Sequence, residues 1–246
     1  MINYFDVNLQ FSTDDLNQFV PIIASLLCFG SFWFLSKSEI IKKSFFKNKP
    51  EDEASVNHFL FSKLVGFFTM GILSVVLLFS LTDVNSLSSI GISIPKSTFL
   101  ASMIWVLILS AIAIPITFFS ARKPKNLVNY PQIRSKVWTQ KTLIINIVGW
   151  VLYLIGYEIL FRGVLLFPLI EYMGVWPAIA INIAMYSATH IPKGLDETIG
   201  AIPLGLVLCI LTLLTGSLVI AILVHIVLAL TNSLTALKHH PEINLK

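Results

Sequence analysis

Residues 198–237 run for 40 positions without a lysine, arginine, aspartate or glutamate, and four further segments, 16–36, 64–82, 97–121 and 172–192, share that property. About 20 apolar residues cross the hydrocarbon of a bilayer as a helix. Lipid offers the backbone no partners, so a crossing segment must be a helix or part of a closed barrel. Barrel strands would read as alternating segments of about 10 residues, whereas these runs are continuous. Composition agrees. The chain is 56% hydrophobic and only 12% charged, against about 25% charged in soluble domains, and its mean hydropathy is +0.83. The expected fold is an all-α, polytopic transmembrane helical bundle, built as a single membrane domain over residues 1–246.

Seven spans are expected, at about 16–36, 60–82, 98–120, 142–168, 174–191, 199–215 and 217–237, the last two turning at Thr215, Gly216 and Ser217. Basic residues set the orientation. Lys37, Lys42, Lys43, Lys47 and Lys49 follow the first span, and Arg122, Lys123, Lys125, Arg134, Lys136 and Lys141 follow the third. The opposite side holds Lys96, while the start of the chain carries Asp6, Asp14 and Asp15. The amino terminus is therefore expected outside and the carboxy terminus inside. No basic n-region precedes the first span, so no cleavable signal peptide is expected. The net charge of +4 is spread over several loops. It forms no single basic face, and nucleic acid is not an expected partner. Cys28 and Cys209 fall within spans, which argues against a disulfide framework. Trp138, near the end of the loop 121–141, suits an interfacial anchor.

Polar groups at membrane depth are concentrated in the second half of the chain. The segment GYEILFRG, residues 156–163, carries Glu158 and Arg162 between strongly apolar flanks. A charge at the bilayer centre costs about 2.5 to 3.5 kcal/mol on insertion scales. Four residues apart on a helix, the two share a face and can pair. His190 closes the fifth expected span and His225 sits in the middle of the seventh, while His58, His239 and His240 lie outside the membrane. One carboxylate with imidazoles in a partly wet cavity can hold and deprotonate a water. A second imidazole and an amide can stabilise an oxyanion. Together these suit acyl-transfer chemistry, here hydrolysis of a peptide bond. Each residue alone has a plainer reading as a buried ion pair or a hydrogen-bonded core histidine. No metal or cofactor is expected, although Glu158, His190 and His225 are also the residue types that bind zinc. The chain has no H-E-x-x-H helix, no G-x-S-x-G elbow and no glycine-rich phosphate loop.

The order YEILFRG, then MYSATH, then GLVLCILTLLTGSLVIAILVH resembles the CAAX prenyl protease and bacteriocin-processing family, also called the Abi or CPBP family, over roughly residues 142–236. Members are intramembrane glutamic-type endopeptidases. The resemblance implies a peripheral half, 1–141, and a protease-like core, 142–237. The family pattern opens with two glutamates, and the first of these positions is Tyr157 here. The aromatic residue before the histidine motif is Tyr186, where the family has phenylalanine. The position four after His225, usually asparagine, is Ala229, and Asn232 follows one turn later.

Carried onto this chain, the resemblance implies Glu158 as general base, His190 positioning the water, and His225 with Asn232 facing the oxyanion. Arg162 would keep Glu158 ionised, and Tyr157 and Tyr186 would support the site. Glu158 lies about 100° around the helix from Tyr157, so replacing the missing glutamate would need a backbone adjustment, for which Gly156 is suitably placed. Straight parallel spans would put Glu158 and His190 at different depths, and a fourth span that starts below the bilayer or tilts would bring them together. The expected partners are membrane lipid and a membrane-associated or lipidated protein or peptide. The expected location is the cytoplasmic membrane of a bacterium. Two alternatives stand beside hydrolysis: a catalytically silent protease-like scaffold that binds a membrane partner, and a small proton-coupled transporter, since ionisable residues inside membranes also mark proton paths.

Overall fold

The structure is a computed structural model and describes residues 10–246, so Asp6 lies outside the described residues. Among the described residues six helices are long and apolar enough to cross a membrane. They are α1 (Thr13–Lys37), α3 (Glu51–Leu81), α4 (Lys96–Ala121), α5 (Gln140–Met173), α7 (Leu195–Thr215) and α8 (Val219–His239), with the short α2 (Glu39–Phe46) between α1 and α3. The chain is an all-α polytopic bundle. The expected fifth span is α6 (Val175–Ala188), only 14 residues long. It rises about 21 Å against a hydrocarbon core of about 30 Å, so by length it does not cross alone. Gly174, at φ +80°, separates it from α5.

Local sequence explains the ends. Ser12 accepts the Asp15 amide, and the Asp15 carboxylate in turn accepts the Ser12 amide at 2.7 Å, a reciprocal cap that starts α1. The hydroxyl of Thr139 accepts the Thr142 amide at 3.3 Å at the head of α5. The turn at Thr215–Ser217 forms as expected, because Gly216 adopts the left-handed conformation, φ +64°, that closes a helix. That turn is also tied to the loop before α4. Ser217 Oγ donates to the Ser93 carbonyl at 2.6 Å, and Thr98 Oγ1 donates to the Thr215 carbonyl at 2.8 Å.

Two helices change pitch partway along. α3 is π-helical over Phe67–Leu73 and α5 over Ile159–Leu166. The regular part of α5 packs directly on the first of these stretches at Gly156. A Cβ there would lie 2.9 Å from Phe67 Cα and 3.2 Å from the Gly66 carbonyl oxygen. Gly156 therefore serves close helix contact; α5 stays α-helical through Glu158 and is not adjusted at this glycine.

The bundle is unevenly buried. In α5, the residues from Leu160 to Leu166 are all buried. In α4 only Ser102 and Ala121 are, and Leu100, Leu107, Ile116 and Phe119 are exposed. So large an apolar surface suits lipid contact. Trp138, expected as an interfacial anchor, has no exposed surface. It sits in β1 (Val137–Trp138), paired in parallel with β2 (Asn244–Leu245), and packs in a cluster with Ile133, Tyr130 and Leu237. Folding the carboxy-terminal tail back onto the head of α5 covers the indole.

Candidate active site

α5 builds the floor of the site. Turn by turn it presents Trp150, Tyr153 and Tyr157 to a cavity of about 940 Å³. The ring centroids of Tyr153 and Tyr157 are 5.8 Å apart. α6 and the turn after it add Tyr186, Thr189 and His190, while α8 adds His225, Ala229 and Asn232. Three segments far apart in sequence thus meet at one wall. α5, at 34 residues, is about 51 Å long, longer than the hydrocarbon is thick. That length carries the middle of α5 to the level where α6 ends, which removes the depth mismatch that equal, straight spans would impose.

Glu158, expected at the water, does not border the cavity. It has no exposed surface and lies behind the cavity wall, which Tyr157 occupies. The reason is helical phase. The π-helical turn begins only after Glu158, too late to rotate its carboxylate towards the space Tyr157 fills. Instead the carboxylate is shared between two partners. Oε1 is 2.6 Å from His225 Nδ1, and Oε2 is 3.1 Å from Arg162 Nη1.

Arg162 is fully buried and its guanidinium lies 4.2 Å from the Tyr186 ring. Its nitrogens do not align as hydrogen-bond donors to the described residues, so the contact with Glu158 is an ion pair rather than an aligned fork. Beyond it, the Asn182 amide donates to the Phe161 carbonyl and Cys209 Sγ donates to Asn182 Oδ1 at 3.1 Å. The backbone carbonyl at Phe161 is therefore satisfied inside the π-helical segment, where the regular ladder is interrupted.

The two histidines flank Tyr186, at centroid distances of 5.0 Å for His190 and 6.2 Å for His225. A carbonyl and a carboxylate only accept, which fixes both tautomers. His190 Nδ1–H donates to the Tyr186 carbonyl at 3.1 Å, and His225 Nδ1–H donates to Glu158. In each ring Nε2 is left as the basic nitrogen. Thr189 gives its proton to the Tyr186 carbonyl at 2.7 Å, so at 2.7 Å from it the Tyr157 hydroxyl is the donor. Asn232 Oδ1 accepts from Asn126 at 3.0 Å, and Ala229 and Asn232 both border the cavity.

The three residues named as ligands, should a metal bind, are not gathered into one group. Among the described residues no three histidine, cysteine, aspartate or glutamate side chains are placed to hold an ion. Glu158 and His225 touch, while His190 is held apart by the Tyr186 ring.

Sequence reasoning passed over Lys63, which stands at the edge of the second uncharged run. It is 4% exposed, and its ammonium lies 3.2 Å from the Trp150 ring centroid, 4.3 Å from Tyr153 and 5.2 Å from Phe59. Cation–π contacts are worth about 2 kcal/mol or more when desolvated. Burying an ammonium costs several kcal/mol. The lone lysine inside the expected span 60–82 was the available signal.

Comparison with known proteins falls on the same part of the chain. No curated protein and no solved structure matches it. Residues 139–231 match the family model described as type II CAAX prenyl endopeptidase, Rce1-like. That range runs from the cap of α5 to the turn of α8 beyond His225, and it contains every residue of the candidate site from Tyr157 to Ala229. Through this site-building segment, well under half of its length, the chain is similar to the type II CAAX prenyl endopeptidases.

Proposed function

We propose that the protein is an intramembrane endopeptidase that cleaves a membrane-associated or lipidated protein or peptide, with the Glu158–His225 pair as its base. The contact of 2.6 Å between Glu158 Oε1 and His225 Nδ1 carries this reading. Glu158 fixes the tautomer and stabilises the imidazolium, the role of the acid in other acid–histidine pairs. His225 Nε2, at the cavity, takes a proton from water as the water oxygen attacks the scissile carbonyl carbon. The imidazolium then returns that proton to the departing amine as the C–N bond breaks, giving one acid and one amine. His190 Nε2 orients the water. Asn232, with its oxygen held by Asn126, has its amide hydrogens free for the oxyanion. Arg162 balances the charge on Glu158 throughout. The expected role of general base thus moves from Glu158 to His225, with Glu158 as the positioning residue.

The integral membrane setting follows from the six long apolar helices. The basic loops support a cytoplasmic orientation for the charged rim of the cavity, which includes Lys37, Lys42 and Arg134, and a bacterial cytoplasmic membrane suits the small size and short loops. The test is cleavage of a quenched peptide library by the detergent-purified protein beside Glu158→Gln, His190→Ala and His225→Ala. Cleavage by the parent protein that is lost in His225→Ala supports the reading. Cleavage retained in that variant sinks it.

A second reading is a silent scaffold that binds its partner without turnover. The observation favouring it is that the inner wall carries a phenol at Tyr157, already donating to Thr189, where the family pattern has a carboxylate. Under that reading, cells carrying His190→Ala and His225→Ala would keep the protein's effect.

A further inference from the structure

Lys63 is nine-tenths buried and takes part in none of the ion pairs among the described residues. The charged groups that act on it are Lys193 and Lys37, both cations. Its neighbours Trp150, Tyr153 and Phe59 offer ring faces, which attract an ammonium but carry no net charge. With no anionic partner among the described residues, the Lys63 ammonium is disfavoured at this end of the cavity, and an anion entering the cavity would stabilise it. Among the described residues the indole N–H of Trp150 also lacks an acceptor. Both residues border the same cavity as His190 and His225, and its volume of about 940 Å³ is that of a site for a small ligand. Donors are in excess here, and the missing group is an anionic acceptor.

We infer that Lys63 anchors a carboxylate of the peptide held in the cavity. The inference rests on the endopeptidase reading in taking the ligand to be a peptide. Trp150 and Tyr157 are seven residues apart, hence on one face of α5 and about 10 Å from each other along its axis. The carboxylate would sit at that distance from the Glu158–His225 pair, so binding at Lys63 fixes which bond reaches His225. Lys193, whose nearest acid is Glu197 at 3.6 Å, adds positive potential on the same side. A peptide can supply the carboxylate from its carboxy terminus or from an aspartate or glutamate side chain.

The experiment uses full-length protein in neutral-lipid nanodiscs and three pools of N-acetylated octapeptides with randomised, uncharged interiors. One pool ends in a free acid, one in an amide, and one in an amide with aspartate at the penultimate position. Retention at equilibrium should favour the acid pool over the plain amide by at least tenfold. Lys63→Met should abolish that preference, and Lys63→Arg should restore most of it. The aspartate pool tells an end group from a side chain. Equal retention of acid and amide by the parent protein overturns the inference, and so does a preference that survives in folded Lys63→Met. Should Lys63→Met fail to fold, the parent ratio alone decides. Displacement of the acid pool by short-chain phosphatidylglycerol at lower concentration than by free peptide would overturn it in favour of a lipid phosphate. The two readings fail separately: preference without cleavage removes only the hydrolytic one, and cleavage without preference removes only this one.

Discussion

Glu158 and His225 lie 67 residues apart, on α5 and α8, and are joined by a 2.6 Å contact between Oε1 and Nδ1. With Arg162 on the other carboxylate oxygen, they form a buried three-residue chain that connects two helices and ends at the cavity through the imidazole. The chemistry and the stability of the core are therefore tied to the same carboxylate.

Removing the imidazole should remove the chemistry. His225→Ala is expected to lower kcat by about 10²–10⁴-fold, the usual contribution of a positioned base. Glu158→Gln should lower kcat with little change in KM, since Glu158 does not border the cavity. Steady-state kinetics on one cleaved library peptide checks both. A Glu158→Gln variant that raises KM alone would place the carboxylate at the substrate, contrary to the structure.

Stability should respond to the same chain of contacts. Glu158→Ala leaves the Arg162 guanidinium, which has no exposed surface, without its counter-ion. Breaking one side of a buried pair costs about 3–5 kcal/mol. The double variant Glu158→Leu with Arg162→Met should recover much of that loss. Thermal unfolding in detergent is the measurement, and two losses that simply add would show that the ion pair does not couple the residues.

Gly156→Ala should disturb the contact between α5 and α3. The added methyl would meet Phe67 Cα at 2.9 Å and the Gly71 amide nitrogen at 3.2 Å. Both are backbone atoms that cannot swing aside. Overpacking of this kind costs about 1–3 kcal/mol. The melting temperature should fall, whereas Gly200→Ala, where an added Cβ meets nothing within 4 Å, should leave it unchanged.

Tyr157 separates the hydrolytic reading from the silent one. Tyr157→Phe removes the 2.7 Å bond to Thr189. Bonds between side chains within a membrane are worth about 0.6 kcal/mol on average, so stability should drop slightly and any cleavage should persist. Tyr157→Glu sets a carboxylate on the cavity wall beside His190 and His225. It is expected to raise library cleavage above the parent level. A decrease, with the fold intact, would mean that the phenol itself takes part.

How much of this could be seen without a structure depends on the kind of interaction. Long uncharged runs and the lipid's inability to satisfy a backbone dictate transmembrane helices, and the expected ends of α1, α4 and α5 lie within five residues of the observed ones. The pairing of Glu158 with Arg162 was legible for the same local reason, because residues four apart on a helix share a face. So was the turn at Gly216.

Tertiary structure alone decided the rest. Which way Glu158 points depends on where α5 leaves α-helical pitch, and the π-helical turn is sustained by contacts from elsewhere, such as Asn182 on the Phe161 carbonyl. The partner of His225 and two of the rings around Lys63, Trp150 and Tyr153, come from α5, distant in sequence from both, with no periodicity to announce them. The shortness of α6 and the burial of Trp138 depend on Gly174 and on the returning carboxy-terminal tail. The sequence determined that the chain enters a membrane as helices and where its charges are placed along them. The packing of those helices determined which charge faces the cavity and which is enclosed, because burial and helical phase are properties of the assembled bundle.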